Sequence, residues 1–141
     1  MKNLYAYLLV GTLGLLTACS KKEDTPPAAT TTTLTATINS AQQVPTNNST
    51  ATGDFAGIYD SSSKQLTYTV TYKGFTPTVA HIHLSATGAV AIPFANLASP
   101  ITGTVTLSND QATQLLNNGM YVNMHSAAFQ NGEIRGEIKK Q

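Results

Sequence analysis

A chain of 141 residues suits one folded domain and is too short for two comfortable ones. Its formal net charge is +1 and 11% of its residues are charged. Without Lys2 the chain has seven basic residues against seven acidic ones, which lacks the basic footprint of a nucleic-acid binder, so no nucleic-acid partner is expected.

Lys2 gives the N-terminus a short positive start, and residues 4–16 form an apolar run. The run is too short to be read first as a spanning helix and matches the apolar region of a signal peptide over residues 1–18. Leu16-Thr17-Ala18-Cys19 follows and resembles the bacterial lipobox, in which small residues let a peptidase reach the backbone before the cysteine that takes the lipid. Cys19 is the only cysteine, so no intramolecular disulfide can form. The expectation is an exported lipoprotein, palmitate-bearing at Cys19 and anchored to the outer membrane. It faces the periplasm or the cell surface. Ser20-Lys21-Lys22-Glu23-Asp24 looks like the charged tags that direct some lipoproteins to the surface, and equally like a solvated linker. The Thr- and Pro-rich stretch that follows has no apolar period, so residues 19–33 read as a lipidated flexible tether.

From Leu34 onward the pattern has period two. The chain holds 22 threonines, a β-branched residue that fits a pleated surface and is a poor helix former. Strands are predicted from Leu34, over residues 50–60 and 78–86, and around Leu66, Tyr68, Val70 and Tyr72. Further strands are predicted around Ile101, Gly103, Val105 and Leu107, and over residues 120–126 and 133–139. Residues 89–98 read as irregular and apolar. One short helix is predicted near residues 109–117, with Ser108 as its cap, Gln111 as the capping-box partner and Asn118-Gly119 as the stop. Seven or so short strands with regular turns imply an all-β sandwich or barrel over residues 34–141.

The three histidines are His81, His83 and His125. Strand alternation puts His81 and His83 on one face and Ile82 and Leu84 on the other. In the later strand Tyr121, Asn123 and His125 share a face opposite Met120, Val122 and Met124. Burying the aliphatic faces places every imidazole on the polar, solvent side. If the last two strands form a hairpin, His125 faces Glu133, Asn123 faces Arg135 and Tyr121 faces Glu137. Two imidazoles at i and i+2 with a third from a neighbouring strand make a copper or zinc triad. The competing reading is three histidines that are solvated or bonded locally. Glu133 and Arg135 are candidates to support the imidazoles from outside, or simply form a surface ion pair. No Ser-His-Asp arrangement, activated nucleophile or phosphate loop is present, so catalytic residues are not assigned.

The Gln43-Val44-Pro45 and Thr52-Gly53 segments, Leu66-Thr67-Tyr68-Thr69-Val70 and Ala80-His81-Ile82-His83 resemble the CHRD domain, named after chordin. So do Tyr121-Val122-Asn123-Met124-His125-Ser126 and the closing Asn131-Gly132-Glu133-Ile134-Arg135-Gly136-Glu137-Ile138, which in this order and spacing are the specific part. The resemblance implies an immunoglobulin-like, superoxide-dismutase-like Greek-key β-sandwich. It sets His81 and His83 against the paired copper ligands of that enzyme and His125 against a later one. No histidine is left for a bridging or zinc site, so dismutase activity is not implied. The expectation is a membrane-anchored binding or structural module without catalysis, its protein or surface-glycan partner unspecified. The alternative is a copper- or zinc-binding, redox-active protein using the three histidines.

Overall fold

The computed structural model of the chain describes residues 30–141. The expected signal peptide, the lipobox with Cys19 and the tether up to residue 29 lie outside the described residues. Nine strands and one helix follow in the order β1 (Thr31–Asn39), β2 (Thr52–Asp60), β3 (Gln65–Lys73), β4 (Val79–Leu84), β5 (Val90–Pro93), β6 (Ile101–Thr106), α1 (Asn109–Leu116), β7 (Met120–His125), β8 (Ile134–Glu137) and β9 (Lys139–Lys140). A single 3-10 turn, Ser40–Gln42, leaves β1. Among the described residues no helix is long and apolar enough to cross a membrane.

All nine strands join one antiparallel sheet ordered β5-β4-β7-β8-β1-β2-β3-β6, with β9 also on β1, and the sheet curls strongly into a half-barrel. Alternation dictates what the curl encloses. Leu34, Ala36 and Ile38 of β1, Phe55 and Tyr59 of β2, and Leu66, Tyr68 and Val70 of β3 point inward. They meet Ile82, Met120, Val122, Met124, Ile134 and Ile138 from the other half of the sheet. The all-β class and the one short helix agree with the sequence. Ser108 and Gln111 form the capping box at α1, and Ala112 and Leu115 fill the core side of that helix.

Three details differ from the sequence pattern. β1 begins at Thr31, because Thr31, Thr32 and Thr33 pair with Asp60, Tyr59 and Ile58 of β2 in unbroken register; periodicity cannot see this in a run of threonines. The segment expected to be irregular over residues 89–98 contains β5, four residues long and closed by Pro93. The last predicted strand divides at Ile138, whose N–H donates to the Met120 carbonyl instead of to β1.

Gly136 sits where β8 presses on β1. A Cβ there would lie 2.5 Å from the Thr37 carbonyl oxygen and 2.9 Å from the Ile38 side chain, so only glycine allows the close approach. Gly136→Ala is expected to destabilise the fold by ~1–3 kcal/mol through overpacking. Ser108→Ala is expected to cost about 1 kcal/mol through the lost cap. Urea denaturation of the two variants measures both effects.

Candidate metal centre

β4 and β7 are hydrogen-bonded neighbours, with Val79 opposite His125, His81 opposite Asn123 and His83 opposite Tyr121. Opposed residues share a face, and the diagonal neighbour is within reach of a long side chain. The pairing therefore gathers all three imidazoles on the face turned away from the aliphatic core. His81 and His125 have ring centroids 5.7 Å apart, His81 and His83 5.3 Å, and His83 and His125 6.4 Å. A shift of register between β4 and β5 at Ile82/His83 lies beside the cluster, and such irregularities re-aim side chains.

One nitrogen from each ring points toward the others, and a set of three such donor atoms lies within 4.8 Å of one another. The face is not the wet one that alternation suggests. His83 is 8% exposed, Tyr121, Asn123 and Glu133 are buried, and His81 and His125 are half-buried. The correction comes from loops that fold over this side of the sheet. The Gln43 amide donates to Asn123 Oδ1 at 2.6 Å, and the Asn47 amide donates to the carbonyls of Gly132 and Glu133 at 3.2 and 3.0 Å. These loops bond through their own side chains to Asn123 and to the backbone of Gly132 and Glu133, so they cover the face while giving those groups partners.

Two of the rings are held from behind. His83 Nδ1 is 2.9 Å from the Gly88 carbonyl, and His125 Nδ1 is 2.9 Å from the Gln130 carbonyl. A carbonyl oxygen only accepts, so each Nδ1 carries the proton and donates. The lone pair of each ring then sits on Nε2. His83 Nε2, His125 Nε2 and His81 Nδ1 are buried and have no hydrogen-bond partner among the described residues. Burial comes first, then the neighbouring His83 and His125, in pushing the pKa of His81 below its ordinary value near 6.5. His81 is thus favoured in the neutral form that a metal requires.

The hairpin register is the expected one for two of the three pairs: Tyr121 faces Glu137 and Asn123 faces Arg135. The ladder ends at Met124 and Ile134, so His125 and Glu133 do not form a ladder pair. Glu133 instead accepts from Ser49 Oγ at 2.7 Å, and Arg135 pairs with Glu137 and lies 3.6 Å over the Tyr121 ring. Neither Glu133 nor Arg135 hydrogen-bonds an imidazole, and they do not pair with each other. Tyr121, which alternation puts on the same face as His125, stacks on His83 at 5.1 Å with an interplanar angle of 10°. Gly88 and Gln130 act through backbone carbonyls and have no side-chain signature to find. The φ of +70° at Gly88 explains the glycine there.

A family model described as the CHRD domain matches residues 34–138. The chain belongs to the CHRD family. A comparison with curated proteins finds no match. The matched stretch of this CHRD domain runs from β1 to the end of the hairpin that carries His125. It contains all three histidines, the Gln43 loop and both carbonyl clamps.

Gly132 closes the cover over the CHRD site with φ of +123°, and a Cβ there would meet Gln43 Nε2 at 2.6 Å and Asn123 Oδ1 at 2.7 Å. Gln43→Ala leaves the buried Asn123 oxygen without its donor and is expected to cost ~1–3 kcal/mol. Denaturation midpoints compared with the unaltered chain check this; an unchanged midpoint would mean the contact contributes nothing.

Proposed function

We propose that this CHRD domain is a metal-binding module that holds one copper or zinc ion between His81, His83 and His125. The single observation that carries the proposal is the convergence of three buried, unpartnered ring nitrogens. Histidines kept for packing or local bonding have their buried nitrogens hydrogen-bonded. Each one left bare costs ~1–3 kcal/mol, and three bare nitrogens facing one another compound that cost. A cation shared among them removes it. Metal-ligand bonds of ~2.0–2.1 Å to imidazole put three donors roughly 3.5 Å apart. Rings whose donors lie within 4.8 Å of one another need only small side-chain rotations to close.

The donor set suits the ion. Three neutral imidazoles without a thiolate or carboxylate favour copper or zinc over magnesium or calcium, and among divalent ions copper binds such sites most tightly. The carbonyl clamps on His83 and His125 are the outer contacts that fix tautomer and ring orientation at metal centres. Three protein ligands leave a fourth position for water or an added ligand. With copper the centre can change oxidation state. No nucleophile or acid–base pair is assigned, and the role is binding rather than catalysis.

The positive start, the short apolar run and the lipobox at Cys19 support an exported protein, lipid-anchored at the outer membrane on its periplasmic or surface face. A membrane is therefore its first partner, with a protein or surface glycan as a further one. The curled sheet is also read as an immunoglobulin-like Greek-key arrangement. The connections from β3 to β4 and from β6 to β7, which cross between the two halves of the sheet, support this.

Isothermal titration of the full chain in detergent is expected to show one Cu(II) or Zn(II) per chain, with one-to-one uptake lost in His83→Ala. Heat release at no defined stoichiometry, or equal binding in His83→Ala, would remove the proposal. Cys19→Ser is expected to abolish palmitate labelling in cells and move the protein from the membrane to the soluble fraction.

A further inference from the structure

The three rings are not held alike. His83 is fixed twice, by its Nδ1–H donating to Gly88 and by the face of Tyr121, itself covered by the Arg135 guanidinium. His125 is fixed by the Gln130 carbonyl. His81 has no hydrogen bond at either nitrogen to a described residue. Its aromatic contacts are edge-on to the other two imidazoles, at interplanar angles of 86° and 69°. Its buried, unpartnered atom also differs, Nδ1 where the others have Nε2. Its partner on β5 is Pro93, which has no N–H to offer.

Taking the metal reading above as its basis, we propose that the centre is divided: His83 and His125 form a fixed pair, and His81 is the exchangeable ligand through which the metal enters and leaves. A clamped ring has already lost its rotational freedom before the ion arrives. An unclamped ring loses it only while bound and regains it on release. Dissociation therefore begins at His81. Ligand exchange at the metal follows: the bond from His81 Nδ1 breaks, an incoming nitrogen, oxygen or sulfur donor forms the new bond, and the metal keeps its oxidation state. Gly88 is a positioning residue for His83. A Cβ there meets nothing closer than the Tyr121 hydroxyl at 3.9 Å, so what a larger residue disturbs is the left-handed backbone that aims the carbonyl.

The test uses the full chain in detergent loaded with Cu(II), and follows copper transfer to excess EDTA. His81→Ala should still take up one Cu(II) and release it at least tenfold faster than the unaltered chain. His83→Ala and His125→Ala should fail to hold a stoichiometric ion. Gly88→Val should weaken Cu(II) binding by ~10–100-fold, the usual effect of losing an outer contact. Gly88→Asn, which tolerates the left-handed conformation, should restore it. Nitrogen NMR of the metal-free, unaltered chain gives an answer independent of any variant. His83 and His125 should each show a single tautomer protonated at Nδ1, and His81 a mixture. If the unaltered chain takes up no Cu(II), the metal reading and the division fall together. If it binds but the three alanine variants behave alike, or His81 shows one locked tautomer, the division alone falls.

Discussion

The antiparallel pairing of β4 with β7 is the constraint on which the rest of this domain depends. With His81 opposite Asn123 and His83 opposite Tyr121, one face of the pair carries Ile82, Val122 and Met124 into the core and the other carries all three imidazoles. Side-chain period in a strand is two, so a slip of one residue would send the histidines into the apolar interior and the aliphatics to the loops. The core thereby enforces the register that assembles the site. Ile82, Val122 and Met124 are fully buried, and their burial is the energetic reason the imidazoles stay together.

The covered histidine face raises the cost of every polar group on it. Asn123 and Glu133 are buried and answered, by Gln43 and by Ser49. The three inner imidazole nitrogens are buried and have no partner among the described residues. The contrast between these partnered groups and the three converging ring nitrogens is what supports the proposed metal site. Local stability lost at such a position is a common mark of a functional site.

Much of this was legible in the residues, for physical reasons that also set the limit. Parity along Ala80-His81-Ile82-His83 and along Met120 to His125 is a local property, and it correctly put the histidines on one side of each strand. So is the capping signal at Ser108 and Gln111. The adjacency of β4 and β7 is non-local, joining segments with two strands and a helix between them in the chain, and no periodicity encodes it. The burial of the histidine face came from loops whose grip depends on the Gln43 and Asn47 amides reaching across space. The clamps of Gly88 and Gln130 are backbone carbonyls, which every residue carries. The expected partnership of Glu133 with His125 failed because the hairpin ladder stops one pair short and Ser49 is at hand.

The most direct test is anomalous X-ray diffraction from crystals soaked in Cu(II) or Zn(II), with data collected at the absorption edge of each metal. The account predicts one strong anomalous peak bounded by His81 Nδ1, His83 Nε2 and His125 Nε2. A peak elsewhere on the surface, or an ordered water bridging the three rings in metal-soaked crystals, would contradict it.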